Sequence, residues 1–249
     1  MIPHVIHYCW FGRGPKPELA IKCIDSWKKM FPGYKIIEWN EDNFNVNMIP
    51  YTAEAYRLKK YAFVSDYARF WILYNYGGLY FDTDVEVINN FDDIVSKGAF
   101  MGCELWENNN KELIPSIAAG LGLGAEKGNS FYKKILDIYK TKHFATPKGA
   151  ISDTVVTIIT KLIKQEKPDI DLNKITTFEN ITIYPFDYFC PIVANTGKTF
   201  FTERTHSIHH YMATWKNKKP YSKYQKLTTR LKYIFNQIYV ALFIKTVEK

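Results

Sequence analysis

The chain opens on an apolar run, "PHVIHYCWFG", whose length and flanking glycine predict a strand that runs into a loop. "ELAIKCIDSWKKMF" follows with Ile21, Ile24, Trp27 and Phe31 at helical spacing, and after Pro32-Gly33 the segment "YKIIEW" predicts a second strand. A β-α-β start is the pattern of a sheet with crossover helices. From Thr52 to Tyr76 the spacing predicts one broken helix or two consecutive ones, closed by Gly77-Gly78 as a C-cap. "LYFDTDVEVI" returns to strand and turn, and "GAFMGCEL" and "SIAAGLGLGA" predict short strands. "NSFYKKILDIYK" and "SDTVVTIITKLIKQ" predict helices, and "ITIYPFDYF" and "HSIHHY" late strands. No period of 20 to 50 residues repeats.

One polar interruption of this pattern carries chemistry. In "GGLYFDTDVEV", Asp82 and Asp84 stand two residues apart at the end of an apolar run. On an extended segment, positions i and i+2 share a face, so both carboxylates are expected to converge on one small volume. Two like charges that close are reasonable around a divalent cation with a preference for oxygen. Just upstream, Asp66 and Arg69 are three apart on the expected helix "FVSDYARFWILYNYGG" and share a face. In isolation such a pair reads as a surface ion pair worth ~0.3 kcal/mol. The surrounding Phe70, Trp71, Leu73 and Tyr74 instead predict a helix buried on most sides, where an ion pair needs a reason.

The continuous block "SDYARFWILYNYGGLYFDTDV" resembles the signature of glycosyltransferases with a DXD sugar-binding region, sequence family 32. That group includes bacterial capsule and lipopolysaccharide enzymes and the yeast initiating mannosyltransferase, with the clostridial glucosylating toxins as distant relatives. "IPHVIHYCWFG" is similar to the family's first strand and tryptophan loop, and "SIHHYMATW" to its C-terminal His-His…Trp block. Between Glu104 and Tyr188 the match is loose. The resemblance implies an α/β GT-A fold, a single Rossmann-like nucleotide-binding domain with a mixed sheet. It implies that Asp82 holds the ribose and a water on the metal, and that Asp84 ligates Mn²⁺ or Mg²⁺. It implies further that Asp66 and Arg69 contact the donor sugar and that Trp10 stacks on the base, although Trp10 also reads as a core residue at a strand end. His209 or His210 would approach the metal or diphosphate, with Thr214 and Trp215 on a closing segment. It implies a nucleotide-sugar donor, UDP-linked first and GDP-linked second, a glycan or lipid-linked acceptor, and retention of anomeric configuration.

The chemistry of that reaction agrees with the residues. Breaking the bond from the anomeric carbon to a phosphate oxygen leaves negative charge on the diphosphate, which a bound cation stabilises without moving a proton. Asp153 in "GAISDTVV" starts an expected helix and could face the site, but helix capping by Ser152 or Asp153 is the simpler role. "SIAAGLGLGA" suits an acceptor cleft or a tightly packed strand and loop.

Charge then divides the chain of 249 residues: the net +8 lies in residues 216–249, with nine basic residues against one acid, leaving 1–215 neutral. The domain 1–215 is therefore a poor candidate for nucleic-acid binding. In 216–249, Leu227, Leu231, Ile234, Phe235, Ile238 and Leu242 recur at helical spacing among the cations. That predicts a basic amphipathic helix on an anionic membrane surface, or alternatively one packed on the domain with its lysines solvated. No run resembles a secretory signal, and "IYVALFI" is far shorter than the ~20 residues of a spanning helix. Cys9, Cys23, Cys103 and Cys190 form no CxxC pair and read as buried thiols of a cytoplasmic protein peripheral to the membrane. Two other classes use parts of the pattern. A haloacid-dehalogenase-like phosphatase has Asp-x-Asp after a strand, but Val85 and Glu86 depart from its continuation. A non-catalytic nucleotide-sugar-binding or membrane-surface scaffold is opposed by the intact Asp66, Arg69, Asp82 and Asp84.

Overall fold

The computed structural model describes residues 1–144 and 153–212. In chain order the elements are β1 (Val5–Cys9), α1 (Glu18–Met30), β2 (Lys35–Trp39), α2 (Pro50–Arg57), α3 (Tyr61–Tyr76), β3 (Gly78–Tyr80), β4 (Val85–Val87) and α4 (Asp92–Val95). They continue with β5 (Phe100–Glu107), β6 (Leu113–Ala118), β7 (Leu123–Ala125), α5 (Ser130–Lys140), α6 (Val155–Glu166), β8 (Thr176–Phe178), β9 (Ile181–Tyr184), α7 (Phe186–Phe189) and β10 (Ser207–His209). Met1–Met212 form one compact unit. Thr214, Trp215 and the basic segment expected to be a helix lie outside the described residues.

The sheet is mixed α/β, ordered β2-β1-β3-β7-β5-β9-β8, with β6 paired to β5. β1 runs parallel to β2 and β3, whereas β7 is antiparallel to both β3 and β5. Chain order reverses between β1 and β3, with β2 on one side of β1 and β3 on the other, and such a switch point is where open α/β sheets bind ligands, outside the carboxyl ends of the strands. Buried apolar residues cover both faces. Phe70, Tyr80, Met101, Cys103 and Ile117 belong to one cluster, and Trp27, Phe81, Phe91, Phe100 and Phe189 to the other.

Two details fix the strands that flank the aspartates, β3 before them and β4 after them. Gly77 and Gly78 end α3 with φ of 68° and 106°, and a Cβ on Gly78 would stand 2.7 Å from the Val5 carbonyl oxygen. Only glycine permits both the left-handed backbone and the close approach of β3 to β1. On the other face, α1 grips β4: Trp27 Nε1–H donates to the Val85 carbonyl at 2.8 Å, Ser26 Oγ accepts from Val87 N at 2.9 Å, and Lys22 pairs with Glu86 at 3.0 Å. β10 covers the other edge of β4 as a separate two-stranded antiparallel sheet.

Several local expectations are corrected. Of the four residues expected on the apolar face of α1, Ile24, Trp27 and Phe31 are buried and Ile21 is half exposed, its place taken by Ala20 and Cys23. Thr154, not Ser152 or Asp153, caps α6 by accepting from Thr157 N; Asp153 instead pairs with Lys142 at 3.8 Å and Lys161 at 3.5 Å. "PFDYF" winds into the short helix α7 after β9, and the strand in "HSIHHY" pairs with β4 rather than the main sheet. All four cysteines are free and buried.

Candidate active site

Asp82 and Asp84 are not on a strand. β3 ends at Tyr80, and Val85 N donates to the Asp82 carbonyl at 3.0 Å, closing a turn over 82–85. The alternation argument therefore fails, and the two carboxylates go to different partners.

Asp82 joins a cluster built from the buried side of α3. Arg69 and Asp66 are both buried, so the helical pair is not a surface ion pair. Arg69 Nε donates to the Ser65 carbonyl at 3.0 Å, which locks the guanidinium; Nη2 then reaches Asp66 at 3.0 Å and Asp82 at 3.2 Å, and Nη1 reaches Asp82 at 3.3 Å. Tyr80 stacks under Arg69 at 5.1 Å and donates its hydroxyl to Asp82 at 3.1 Å. Asp82 is thus presented on its side chain, 29% exposed, with a fixed orientation. Burial raises the Asp66 carboxyl to about 7, the Arg69 charge working against the rise and the Asp82 charge adding to it. Gly120, between β6 and β7, closes the cluster: its carbonyl accepts from Asp82 N at 2.9 Å, and a Cβ there would fall 1.9 Å from Asp82 Oδ2.

Asp84 faces the C-terminal segment. Its Oδ1 lies 3.2 Å from His209 Nε2, and its Oδ2 accepts from Met212 N at 2.8 Å. Burial works against this carboxylate, but the His209 charge and hydrogen bond, with the backbone N–H groups of Met212 and Asp84, hold it at about 2. The same pairing, opposed by burial, holds His209 well above its ordinary value. His210 takes the other direction and meets Glu86 at 2.8 Å, on the side of β4 that Lys22 also reaches. Of the two histidines, His209 is the one that faces the aspartates, because the antiparallel register pairs His209 with Val85 beside Asp84.

Trp10 follows β1 toward the same sheet end, half-buried, with its Nε1–H donating to the Gly14 carbonyl at 2.7 Å and Lys16 over its ring at 6.0 Å. Beyond His209 lies a group that sequence reasoning did not find. Tyr211, at φ 49°, packs its ring 4.2 Å from that of His209, shares a hydrogen bond with Cys190 at 3.0 Å and donates to Glu104 at 3.1 Å. Burial raises the Glu104 carboxyl above the usual carboxylate range. Nothing local distinguishes Glu104 from Glu107 in "GCELWE", although Glu107 is held in a separate ion pair with Lys198.

Among the described residues, no three histidine, cysteine or acidic side chains converge to enclose an ion. Asp84 Oδ1 and His209 Nε2 are paired to each other at 3.2 Å, with His209 kept charged, so of the two it is the Asp84 carboxylate that suits an oxygen-preferring cation. Ions such as Mg²⁺ are held by one or two carboxylates together with substrate phosphates, so the residues present fit a cation that arrives with a diphosphate.

Residues 17–101 match the family model described as the glycosyltransferase sugar-binding region containing a DXD motif. Over 111 residues the chain is 30% identical to inositol phosphoceramide mannosyltransferase 1 of Schizosaccharomyces pombe, covering 40% of this chain and 33% of that one. Over 106 residues it is 35% identical to an uncharacterized glycosyltransferase of Acanthamoeba polyphaga mimivirus, covering 40% and 42%. The chain therefore spans well under two thirds of the length of these relatives. Among solved structures, the PaToxG glycosyltransferase aligns with a TM-score of 0.48 at 20% identity over 67% of this chain and 70% of that one. A glycosyltransferase involved in glycosylation of the major capsid of PBCV-1 aligns with a TM-score of 0.40 at 12% identity, over 74% and 83%. The matched region holds Asp66, Arg69, Asp82 and Asp84, and it is this part of the chain that is similar to the glycosyltransferase DXD region.

Proposed function

We propose that the chain is a GT-A glycosyltransferase that moves a hexose or N-acetylhexosamine from a nucleoside-diphosphate sugar to a glycan or lipid-linked saccharide, with retention of configuration. The observation that carries this reading is the Asp82 carboxylate, fixed by Arg69 and Tyr80 at the carboxyl end of β3 and two residues from the Asp84–His209 pair.

In this reading Trp10 stacks on the base, Asp82 receives the ribose hydroxyls, and Arg69 and Asp66 orient hydroxyls of the donor sugar. Asp84 holds Mn²⁺ or Mg²⁺, which when bound stabilises the charge left on the diphosphate, and the charged His209 beside it approaches that diphosphate. Asp66, its carboxyl raised by burial, can donate to a sugar hydroxyl when protonated and accept from one when charged, and Arg69 donates only. The turn over 82–85 lets the two aspartates serve different parts of one donor instead of one ion. Uridine is the first choice of base from the resemblance to the toxins, and guanosine carrying mannose the second, supported by the fission-yeast relative named as a mannosyltransferase. A place in bacterial surface polysaccharide synthesis follows from the resemblance, and cytoplasmic attachment to an anionic membrane through 216–249 follows from the charge pattern.

The test is nucleotide release from UDP-, GDP- and dTDP-sugars by the full chain, with Mn²⁺ and then with chelator. Metal-dependent release from one donor is expected. Absence of both release and metal-dependent binding of every nucleotide would overturn the assignment.

A further inference from the structure

The hairpin of β5 and β6 projects past the sheet at the end where the aspartates lie. Leu79, Gly124 and Phe100 stand in one row across β3, β7 and β5, and both pairings are antiparallel, so β3 and β5 run in the same direction. Asp82 and Asp84 are three and five residues beyond that row on one side; Glu104 and Trp106 are four and six beyond it on the other. At about 3.3 Å per residue, Glu104 and Trp106 stand ~13 and ~20 Å past the row, level with and beyond the turn over 82–85.

Alternation assigns the faces of this overhang. Glu104 pairs across to Ser116 and Trp106 to Ile114, so these four side chains lie on one face. Trp106 and Ile114 are 50% and 40% exposed, which leaves an indole and an aliphatic side chain side by side and open to solvent on a short hairpin. Nearer the sheet, Tyr211 ties Glu104 to the segment that bears His209. The hairpin is held rigidly: Asn108 Oδ1 accepts from the N–H groups of Asn110 and Glu112, and Asn108 N donates to the Glu112 carbonyl. The result is a fixed strip that passes from an apolar platform through a hydroxyl to a carboxylate at the edge of the aspartate site. A pyranose has this character, one C–H face and a rim of hydroxyls, and an apolar wall with a few placed polar groups is what orients such a ligand.

Resting on the glycosyltransferase reading, we propose that this face is the acceptor-sugar subsite. Trp106 and Ile114 stack on the acceptor ring, and Glu104, positioned by Tyr211, accepts the hydrogen bond of the hydroxyl that is glycosylated. In the transfer, that hydroxyl oxygen bonds to the anomeric carbon, the bond from that carbon to the diphosphate breaks, and the hydroxyl proton leaves with the nucleoside diphosphate or to Glu104.

The experiment uses the full chain and the donor found active above, with methyl α- and β-glycosides of mannose, glucose and galactose as probes. At least one probe is expected to accelerate nucleotide release. Trp106→Ala should raise the half-saturating concentration of that probe about tenfold, against less than twofold for the donor, and Trp106→Phe should recover most of the loss. Glu104→Gln should lower the probe-stimulated rate while the probe still binds. If Trp106→Ala shifts neither constant, or shifts both equally, the subsite is wrong. If donor hydrolysis proceeds and no probe accelerates it, the saccharide assignment falls by itself, whereas absence of release from every donor removes the glycosyltransferase reading beneath it.

Discussion

Adding one methyl group at Gly120 tests whether the position of Asp82 matters. A Cβ there would lie 1.9 Å from Asp82 Oδ2, and 2.8 Å from both Asp82 Cγ and Arg69 Nη1. Real contacts of this kind lie beyond about 3.0 Å, so the carboxylate must recede by about 1 Å or more. Its contacts with Arg69, now 3.2 and 3.3 Å, would then pass out of hydrogen-bond range. Misplacing a positioning group by ~1 Å costs on the order of 100-fold in rate, about 2.7 kcal/mol at the transition state. Stability should change far less. Asp82 is partly exposed and can swing toward water, and alanine at an ordinary φ gains about 0.4–1 kcal/mol from the unfolded chain. Gly120→Ala is therefore expected to unfold within ~1 kcal/mol of the parent while kcat/KM for the donor falls about 100-fold. Urea melts and steady-state nucleotide release measure the two quantities. In an Asp82→Asn background the same methyl group should cost little more, since both changes disable one carboxylate. A folded Gly120→Ala protein with a near-parental rate would show that the Asp82–Arg69 arrangement does not serve the reaction.

Arg69→Lys keeps the charge but loses the fork that reaches the Ser65 carbonyl, Asp66 and Asp82 together; donor turnover should fall at least ~30-fold, and retention of the parental rate would refute the positioning role. Asp84→Ala leaves His209 buried without its partner and should cost ~1–3 kcal/mol of stability, whereas Asp84→Asn should cost less and still abolish stimulation by Mn²⁺; equal urea midpoints for both variants would argue against the pair. His7, buried and with Trp39 donating to Nδ1 and Gly77 O accepting from Nε2, is pushed by burial to about 4 against the opposing hydrogen bond to Gly77. Its contribution is complete above pH ~6.5 and declines as pH falls toward 4, because the unfolded chain takes up the proton first; the loss approaches ~3 kcal/mol, and a His7→Gln protein with an unchanged pH slope would count against it. Truncation after Lys219 should release the protein from anionic vesicles without stopping donor hydrolysis, and undiminished vesicle binding would rule out the membrane helix.

Long-period patterns were legible in the sequence, and short-range pairings were not. The apolar spacing located α1, α3 and α5, and Gly77-Gly78 marked the turn into β3, because burial and left-handed backbone leave composition signals. The aspartates were found for the right composition but the wrong geometry: β3 stops at Tyr80, and a four-residue turn sends Asp82 toward α3 and Asp84 toward β10. The division of labour between His209 and His210 depends on a register with β4 across more than 120 intervening residues, which no local pattern encodes. Gly120 is one glycine of several in "SIAAGLGLGA", and its role appears only when Asp82 is placed beside it. Glu104 and Tyr211 are ordinary strand and loop residues until tertiary contact joins them.

The pairing of β4 with β10 also sets a clock. Met212 reaches back 128 residues to Asp84, so on the ribosome the aspartate turn waits for most of the domain before its histidine arrives. At roughly 5–20 residues per second that delay is about 6–26 s. Through that interval β4 presents an open edge, and Asp84 and Glu86 lack His209 and His210. A nascent chain can thus assemble β1 to β3 and the Arg69 cluster early, yet the part proposed to hold the cation becomes competent only once Met212 has been made.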